Sequence, residues 1–408
     1  MKIAILNVGN EVVEGDVVNS NAKYLSENIY KLGHTVMYHS VCRDRESEIK
    51  EFLEFLSPKV DLLILTGGLG PTKDDMTKEI LSSYLNLELV NNEIVLENIK
   101  EKFKKLNKVM TDNNIKQSYV IKDAKILFNE KGTAPGFLLE KDKCSYILLP
   151  GPPREMKYLF EKYIYEYLKN RIDDNYINSK IVKIGGLGES YVESNIIDLI
   201  NNNKIYIATY ASLGEVKVKI SSNNENELNK AKKIIVDRFR DNIVSFTMKE
   251  NSKVVTEYLV DNNISISTAE SCTGGLLASE IVDNSGVSKI FKGSYVTYSN
   301  EMKTDVLGVK IETLNEFGAA SSEVANEMLN GLNKKMNTDI AIAITGIAGP
   351  NGSSIDKPVG LVYIALKIFD DKYIIKNNFR GNRTEIRERT CKKIFDVISQ
   401  KIIIDKLL

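Results

Sequence analysis

The stretch D-L-L-I-L-T-G-G-L-G-P-T-K-D-D, residues 61–75, is an apolar run that breaks into three glycines and then a pair of aspartates. The apolar half reads as a buried strand, and the segments on either side alternate strand and helix. K-I-A-I-L-N-V (2–8) is another buried strand, and Ala22, Leu25, Ile29 and Leu32 follow at helical spacing before a glycine. H-T-V-M-Y-H-S-V is a second strand, and a helix covers about 49–56 before 61–66 closes the series. Strand–helix–strand units of this kind imply a largely parallel sheet, whose ligands bind at the carboxyl ends of the strands. Glycines placed there let backbone N–H groups approach an anion. Pro71 and Thr72 are read as leading into a helix near Asp74 and Asp75, one carboxylate capping it and the other holding a divalent cation that bridges phosphate oxygens. The plainer alternative is a tight turn with capping aspartates. The segment 7–22, N-V-G-N-E-V-V-E-G-D-V-V-N-S-N-A, adds Glu11, Glu14 and Asp16 after the first strand, at the same expected edge.

Further on, a lysine-rich helix covers about 93–105, and L-P-G-P-P-R-E-M (149–156) makes an extended turn before a helix over 155–168. A first boundary falls in N-R-I-D-D-N-Y (170–176). The pattern then changes to strand, helix (190–201), two strands and helix (225–239), a small α+β module whose V-K-V-K-I-S strand has one wet face. G-G-L-G (185–188) has the G-x-x-G spacing of a nucleotide-clamping loop, but only one helix is expected after it. A structural or dimerisation role is favoured there over nucleic-acid binding. A second boundary falls near 249–253, and strands and helices alternate from there to the end as a second α/β domain.

The 408 residues carry 55 lysines and arginines against 55 aspartates and glutamates, so no general charge attracts nucleic acid or an acidic membrane. The start of the chain lacks a signal peptide's apolar core, and no apolar run is long enough to span a bilayer, so a cytoplasmic location is expected. Cys42, Cys144, Cys272 and Cys391 are scattered without a C-x-x-C pair and read as small buried apolar residues.

A second concentration of chemistry lies in N-I-S-I-S-T-A-E-S-C-T-G-G (263–275), where Ser271, Cys272 and Thr273 stand between a strand and a helix beginning near Leu276. N–H groups at a helix start can stabilise an oxyanion or a phosphate, but a serine still needs a base. The only histidines, His34 and His39, belong to the first domain, which leaves Lys, Asp, Glu or Tyr. G-S-Y-V-T-Y-S-N-E-M-K (293–303) offers Tyr298 and Lys303, and a desolvated lysine can act as base in a Ser–Lys pair. The bland readings are a surface lysine and a core tyrosine. I-A-I-A-I-T-G-I-A-G-P-N-G (340–352) runs a strand into a glycine loop suited to phosphate, with Thr345 at the strand end and Lys357, Arg380 and Arg383 as further anion contacts.

The glycine–aspartate block, with Glu11, Asn19, Asn21, G-T-A-P-G-F (132–137) and L-P-G-P-P-R-E-M, resembles the molybdopterin-binding-like domain at the start of the CinA (competence/damage-inducible) family. T-A-E-S-C-T-G-G, G-S-Y-V-T-Y-S-N-E-M-K, A-I-T-G-I-A-G-P-N-G, K-P-V-G and G-N-R resemble that family's C-terminal nicotinamide mononucleotide deamidase domain. There are departures: Asn10, Val12 and Val13 stand where the family reads G-T-E-L-L-x-G, the loop F-N-E-K (128–131) before G-T-A-P-G-F is unusual, and G-A-A-S-S-E-V-A (318–325) lacks the favoured valine. The resemblance implies an α/β domain over 1–170, a KH-associated α+β module over 176–250 and an α/β CinA domain over 252–408. It implies a hydrolase that deamidates nicotinamide mononucleotide without a cofactor and splits the pyrophosphate of ADP-ribose with a divalent metal such as Mg²⁺. By motif position Ser271 attacks the amide, Lys303 is the base and Tyr298 assists, while Thr273, Gly274, Gly275, Thr345, Gly346, Gly349 and Arg383 hold the nucleotide. Glu11, Asn19, Asn21, Thr66, Gly67, Gly68, Gly70, Thr72, Asp74 and Asp75 bind the N-terminal ligand, Asp75 and Glu11 through the metal. The partners implied are small nucleotides and a second copy of the chain, with no membrane or nucleic acid. The competing expectation is a molybdopterin-type binding or DNA-uptake accessory protein without N-terminal catalysis.

Overall fold

The computed structural model describes residues 1–141, 143–171 and 178–407. It is mixed α/β and forms two compact units, Met1–Ile177 and Asn178–Leu408. Most of the expected boundary at 170–176 lies outside the described residues.

The first unit contains β1 (Lys2–Val8), β2 (Thr35–Cys42), β3 (Leu62–Thr66), β4 (Leu89–Asn91), β5 (Tyr119–Ile121), β6 (Lys125–Leu127), β7 (Gly136–Leu139) and β8 (Ser145–Leu149). Six of these make a sheet in the order β2-β1-β3-β8-β7-β6, parallel from β2 to β8 and antiparallel beyond. Side chains alternate across a strand, so Ile3 and Ile5 pack with Leu25 and Ile29 of the helix Ser20–Lys31. Ala4 and Leu6 pack on the other face with Ile49 and Leu53 of the helix Glu46–Leu56. Both faces are therefore covered by crossover helices, and the loops after β1, β2, β3 and β8 emerge at one edge.

The turn after β3 requires glycine. Gly67 has φ +101°, and a Cβ there would collide with the Val8 carbonyl oxygen, while its N–H donates to Leu149 O at 3.0 Å. Gly67→Ala is expected to cost about 3 kcal/mol, read as an earlier unfolding transition of the chain in denaturant. The next helix is Thr77–Tyr84, so Asp74 and Asp75 precede it, and its start has no side-chain cap. The expected capping aspartate is thus corrected: the loop consumes three more residues because Asp75 folds back onto Thr72.

In the second unit β9 (Asn178–Gly185), β10 (Tyr206–Ser212), β11 (Glu215–Ser222) and β12 (Ile243–Ser245) form an antiparallel sheet, β10-β11-β9-β12. The helix expected over 190–201 is two, Glu189–Ser194 and Ile197–Ile200. β13 (Ile266–Glu270), β14 (Phe291–Val296), β15 (Ile340–Gly346), β16 (Leu361–Ile368) and β17 (Asp371–Asn378) form the second sheet, β14-β13-β15-β16-β17. Its first three strands are parallel, but β16 and β17 return antiparallel with no helix between, which corrects the expected strict alternation. In β15 isoleucines 340, 342 and 344 fill one core while Ala341 and Ala343 face the helix Ser322–Met336, whose backbone their small size admits. Ion pairs and hydrogen bonds cross from the small module into this domain: Lys392 Nζ donates to Glu215 Oε2 at 2.6 Å, and Ser399 Oγ to Val244 O at 2.6 Å.

Candidate functional site

Two cavities hold most of the residues singled out by sequence. The first, about 540 Å³, lies at the carboxyl edge of the N-terminal sheet. Glu11, Asn19, Asn21, Thr66, Gly67, Gly68, Gly70, Asp74 and Asp75 line it. Thr72 does not; its N–H donates to Asp75 Oδ2 at 2.9 Å and its hydroxyl bonds the same oxygen, so it orients that carboxylate. Glu14 and Asp16 also stay outside, and Val17 and Val18 take their place on the wall. Asn7 donates to Thr66 Oγ1 at 2.6 Å and accepts from Asn19 Nδ2 at 3.0 Å, while Asn19 Oδ1 caps the next helix at Ala22 N. Asn19 is thereby committed to the scaffold. Asn21 donates to Gly151 O at 2.7 Å, is 8% exposed, and leaves its Oδ1 without a partner.

Asp44 and Glu155 were missed by sequence reasoning, yet both line this cavity. The available signal for Asp44 was its place just past β2, at the edge where β1 and β3 also end. Burial raises the Asp44 carboxyl above its ordinary range; a bond from the Asn10 N–H opposes this, and the charges of Glu11, Asp75 and Asp74 add to it. Four carboxylates therefore line one cavity and three of them act on Asp44 through their charge, but among the described residues no three His, Cys, Asp or Glu groups are gathered as a metal cage. Glu155 is set apart, bonded by Asn129 Nδ2 at 2.6 Å.

The second cavity, about 220 Å³, opens at the carboxyl ends of β13, β14 and β15. Ser271, Tyr298, Lys303, Thr345, Gly346, Gly349 and Arg383 line it together with Cys272 and Asn300. Lys303 sits on the helix Asn300–Leu307, capped by Ser299, with Leu307 one turn on, so its side chain points where an apolar residue would be expected. It is 1% exposed, which excludes the surface-lysine reading. Its Nζ donates to the carbonyls of Thr297, Tyr298 and Ser299 at 3.0, 3.2 and 3.4 Å, and no hydrogen bond joins it to Ser271. Desolvation pulls the Lys303 amine below its ordinary range, opposed by the nearby Cys272 and Glu301. Tyr298 is 59% exposed and so is no core residue; its phenol accepts from Arg383 Nη2 at 2.8 Å. Arg383 Nη1 donates to Gly349 O at 2.7 Å, tying the tyrosine to the glycine loop. Thr345 Oγ1 is spent on Ala319 O at 2.7 Å.

Thr273, Gly274 and Gly275 do not line the cavity, and the physical reason is Glu270. This carboxylate, 0% exposed, accepts from the N–H groups of Gly275, Leu277 and Ala278 at 3.0, 3.2 and 2.9 Å. The helix start expected to bind a phosphate is occupied by the protein's own anion. Gly274 N–H is likewise taken, by Ser271 O at 3.0 Å, and the Thr273 carbonyl accepts from Arg387 Nε and Nη2 at 3.1 and 2.8 Å. The acid directly before the serine was the signal that could have identified this role. Lys357 bonds the Phe317 carbonyl, and neither it nor Arg380 reaches the cavity. Both histidines are engaged in the first unit, His34 with Leu168 O at 2.9 Å and His39 with Ser26 Oγ at 2.7 Å.

Comparison with known proteins accounts for nearly the whole chain. Residues 4–170 match a family described as "Probable molybdopterin binding domain", 179–244 match "Damage-inducible protein CinA KH domain", and 248–402 match "CinA C-terminal domain". A competence-damage inducible protein of Thermoanaerobacter sp. (strain X514) is 41% identical over 409 residues, covering 99% of each chain. One from Clostridium botulinum (strain ATCC 19397 / Type A) is 42% identical over 410 residues, covering 98% of this chain and 100% of its own. The crystal structure of a competence/damage inducible protein from Agrobacterium tumefaciens is 36% identical, covering 37% of this chain and 95% of its own, with a TM-score of 0.35. Among the described residues no helix is long and apolar enough to cross a membrane. With identity of this order sustained from end to end, the chain belongs to the CinA, competence/damage-inducible, family.

Proposed function

We propose that the C-terminal domain hydrolyses the carboxamide of nicotinamide mononucleotide, giving nicotinic acid mononucleotide and ammonia. The observation that carries this reading is the buried Lys303 amine sharing one small cavity with Ser271, in a domain without histidine. Ser271 Oγ bonds to the amide carbon as its proton passes to neutral Lys303, and ammonia leaves with that proton. Water then repeats the sequence on the acyl-enzyme, restoring serine and releasing the carboxylic acid. Three carbonyls embrace the Lys303 ammonium, so accepting a proton from Ser271 requires the neutral amine to release one of them. With the helix start blocked by Glu270, the nucleotide phosphate falls to the loop 346–352 and Arg383. Arg383→Met is therefore expected to raise KM for the nucleotide about tenfold or more, and Arg383→Lys not to restore it, because a point charge cannot bridge Tyr298 and Gly349. Steady-state kinetics of the two variants check this.

The N-terminal domain, on the same family resemblance, splits the pyrophosphate of ADP-ribose, and the chain works as a homodimer. Asp75 and Glu11 supply the hard oxygen donors that Mg²⁺ takes, and they would hold it there; when bound, the ion neutralises charge on the diphosphate. The test is ammonia release from nicotinamide mononucleotide by the full chain, followed by AMP release from ADP-ribose with and without Mg²⁺. No ammonia would overturn the first activity. ADP-ribose bound but left intact would replace the second with the molybdopterin-type binding role.

A further inference from the structure

We infer that Arg387 is a positioning residue of the C-terminal site: its guanidinium holds the turn that presents Ser271, and through that turn it governs the chemical step rather than the binding of the nucleotide. The inference rests on the deamidase half of the proposed function. Arg387 follows Arg383 by one turn of the helix Arg383–Ser399, so the two side chains share a face of it. That helix is seated through Ile386, Cys391 and Ile394 on the core that also holds Cys272. Arg383 lines the cavity and Arg387 does not. Arg387 instead donates from Nε and Nη2 to the Thr273 carbonyl at 3.1 and 2.8 Å.

The turn 271–275 depends on such a hold. The Ser271 hydroxyl makes no hydrogen bond among the described residues, so its place follows the backbone that carries it. The tip of the turn is not packed: Gly274 and Gly275 are left-handed at φ +58° and +91°, and a Cβ on Gly274 would meet nothing within 4 Å. Thr273 adds a cost, since it is 0% exposed and its Oγ1 has no partner. Hydrogen bonds must therefore fix the conformation. The Ser271 N–H donates to Ile344 O at 3.0 Å, and Glu270 takes the N–H of Gly275 at the other end. Among the described residues Arg387 is the side chain from a distant part of the chain that bonds to the turn between these points. Its bonds are charge-assisted, and the planar fork sets the direction of the carbonyl as well as its distance. A turn released at Thr273 lets Ser271 drift from the amide carbon and from Lys303, and a misplacement of about 1 Å costs about a hundredfold in rate. The loop 346–352 and Arg383 belong to other segments, so the hold on the nucleotide stays.

Arg387→Met, Arg387→Gln and Arg387→Lys in the full chain, each with a melting curve, test this. Arg387→Met is expected to lower kcat for ammonia release from nicotinamide mononucleotide about 10- to 100-fold, with KM within about twofold of the parent. That is the reverse of the pattern expected for Arg383→Met. Arg387→Gln and Arg387→Lys, which keep a single contact with the carbonyl, are expected to fall in between, and they decide by the same criteria if Arg387→Met does not fold. Labelling by phenylmethylsulfonyl fluoride separates position from a smaller folded fraction: the Ser271 oxygen bonds to sulfur, fluoride leaves and Lys303 takes the proton. Mass spectrometry of Arg387→Met is expected to show slower labelling that still reaches the parent's final extent. A purely structural role would lower the extent and leave the rate of the folded fraction unchanged. A folded Arg387→Met with the parent's kcat or labelling rate, a KM that rises while kcat holds, or a parent that neither releases ammonia nor is labelled overturns the inference. A parent that is labelled but releases no ammonia removes the deamidase reading alone, and the labelling rates then decide.

Discussion

Ser271→Ala is expected to lower ammonia release from nicotinamide mononucleotide by about a thousandfold or more, while Cys272→Ala keeps most of the activity. The two side chains are neighbours and both line the cavity, so position alone does not rank them. Their chemistry does. Burial pushes the Cys272 thiol up to about 12, so at neutral pH it stays protonated, and the thiol is not the nucleophilic form. The Ser271 hydroxyl is held in no hydrogen bond among the described residues and needs only a base, which the cavity supplies. Coupled-enzyme detection of ammonia with both variants measures the ranking, and an inactive Cys272→Ala beside an active Ser271→Ala would invert the mechanism.

Lys303→Met is expected to cost between about 100- and 10,000-fold in kcat/KM, the range of a lost general base. The same residue sets the pH dependence. A base must be neutral to accept a proton, and burial lowers the pKa of Lys303, so its neutral fraction grows as pH rises through that lowered value. Activity of the parent should therefore climb with pH along a limb that ends below the ordinary lysine range, and the residual rate of Lys303→Met should lack that limb. A pH profile of kcat/KM decides it. A limb that survives the substitution would assign the base to another group.

Some of this was legible in the chain. The apolar runs 2–8, 61–66 and 340–344 identify buried strands because alternating faces of one strand must both be covered by apolar partners. Glycines directly after such strands mark close backbone approach, as Gly67 against Val8 shows. The reversal at β16 and β17 was less legible, since the largely polar run 371–378, with only Tyr373, Ile374 and Ile375 apolar, fits an edge strand as well as a loop. The site was partly legible for the same reason: residues following parallel strands collect at one edge, so Ser271, Lys303, Thr345 and Arg383 meet around one cavity.

What each group does there is a matter of partners, which spacing does not carry. Period and spacing along the chain are enough for the layered α/β architecture, for the edge at which function collects, and for the lack of histidine in the second unit. Folding adds the rest: Lys303 is buried against three carbonyls, Glu270 blocks the helix start expected to bind phosphate, and Asp44 lines one cavity with Glu11, Asp74 and Asp75. Strand and helix period follow from local backbone geometry, whereas desolvation and charge depend on groups brought together from distant parts of the chain.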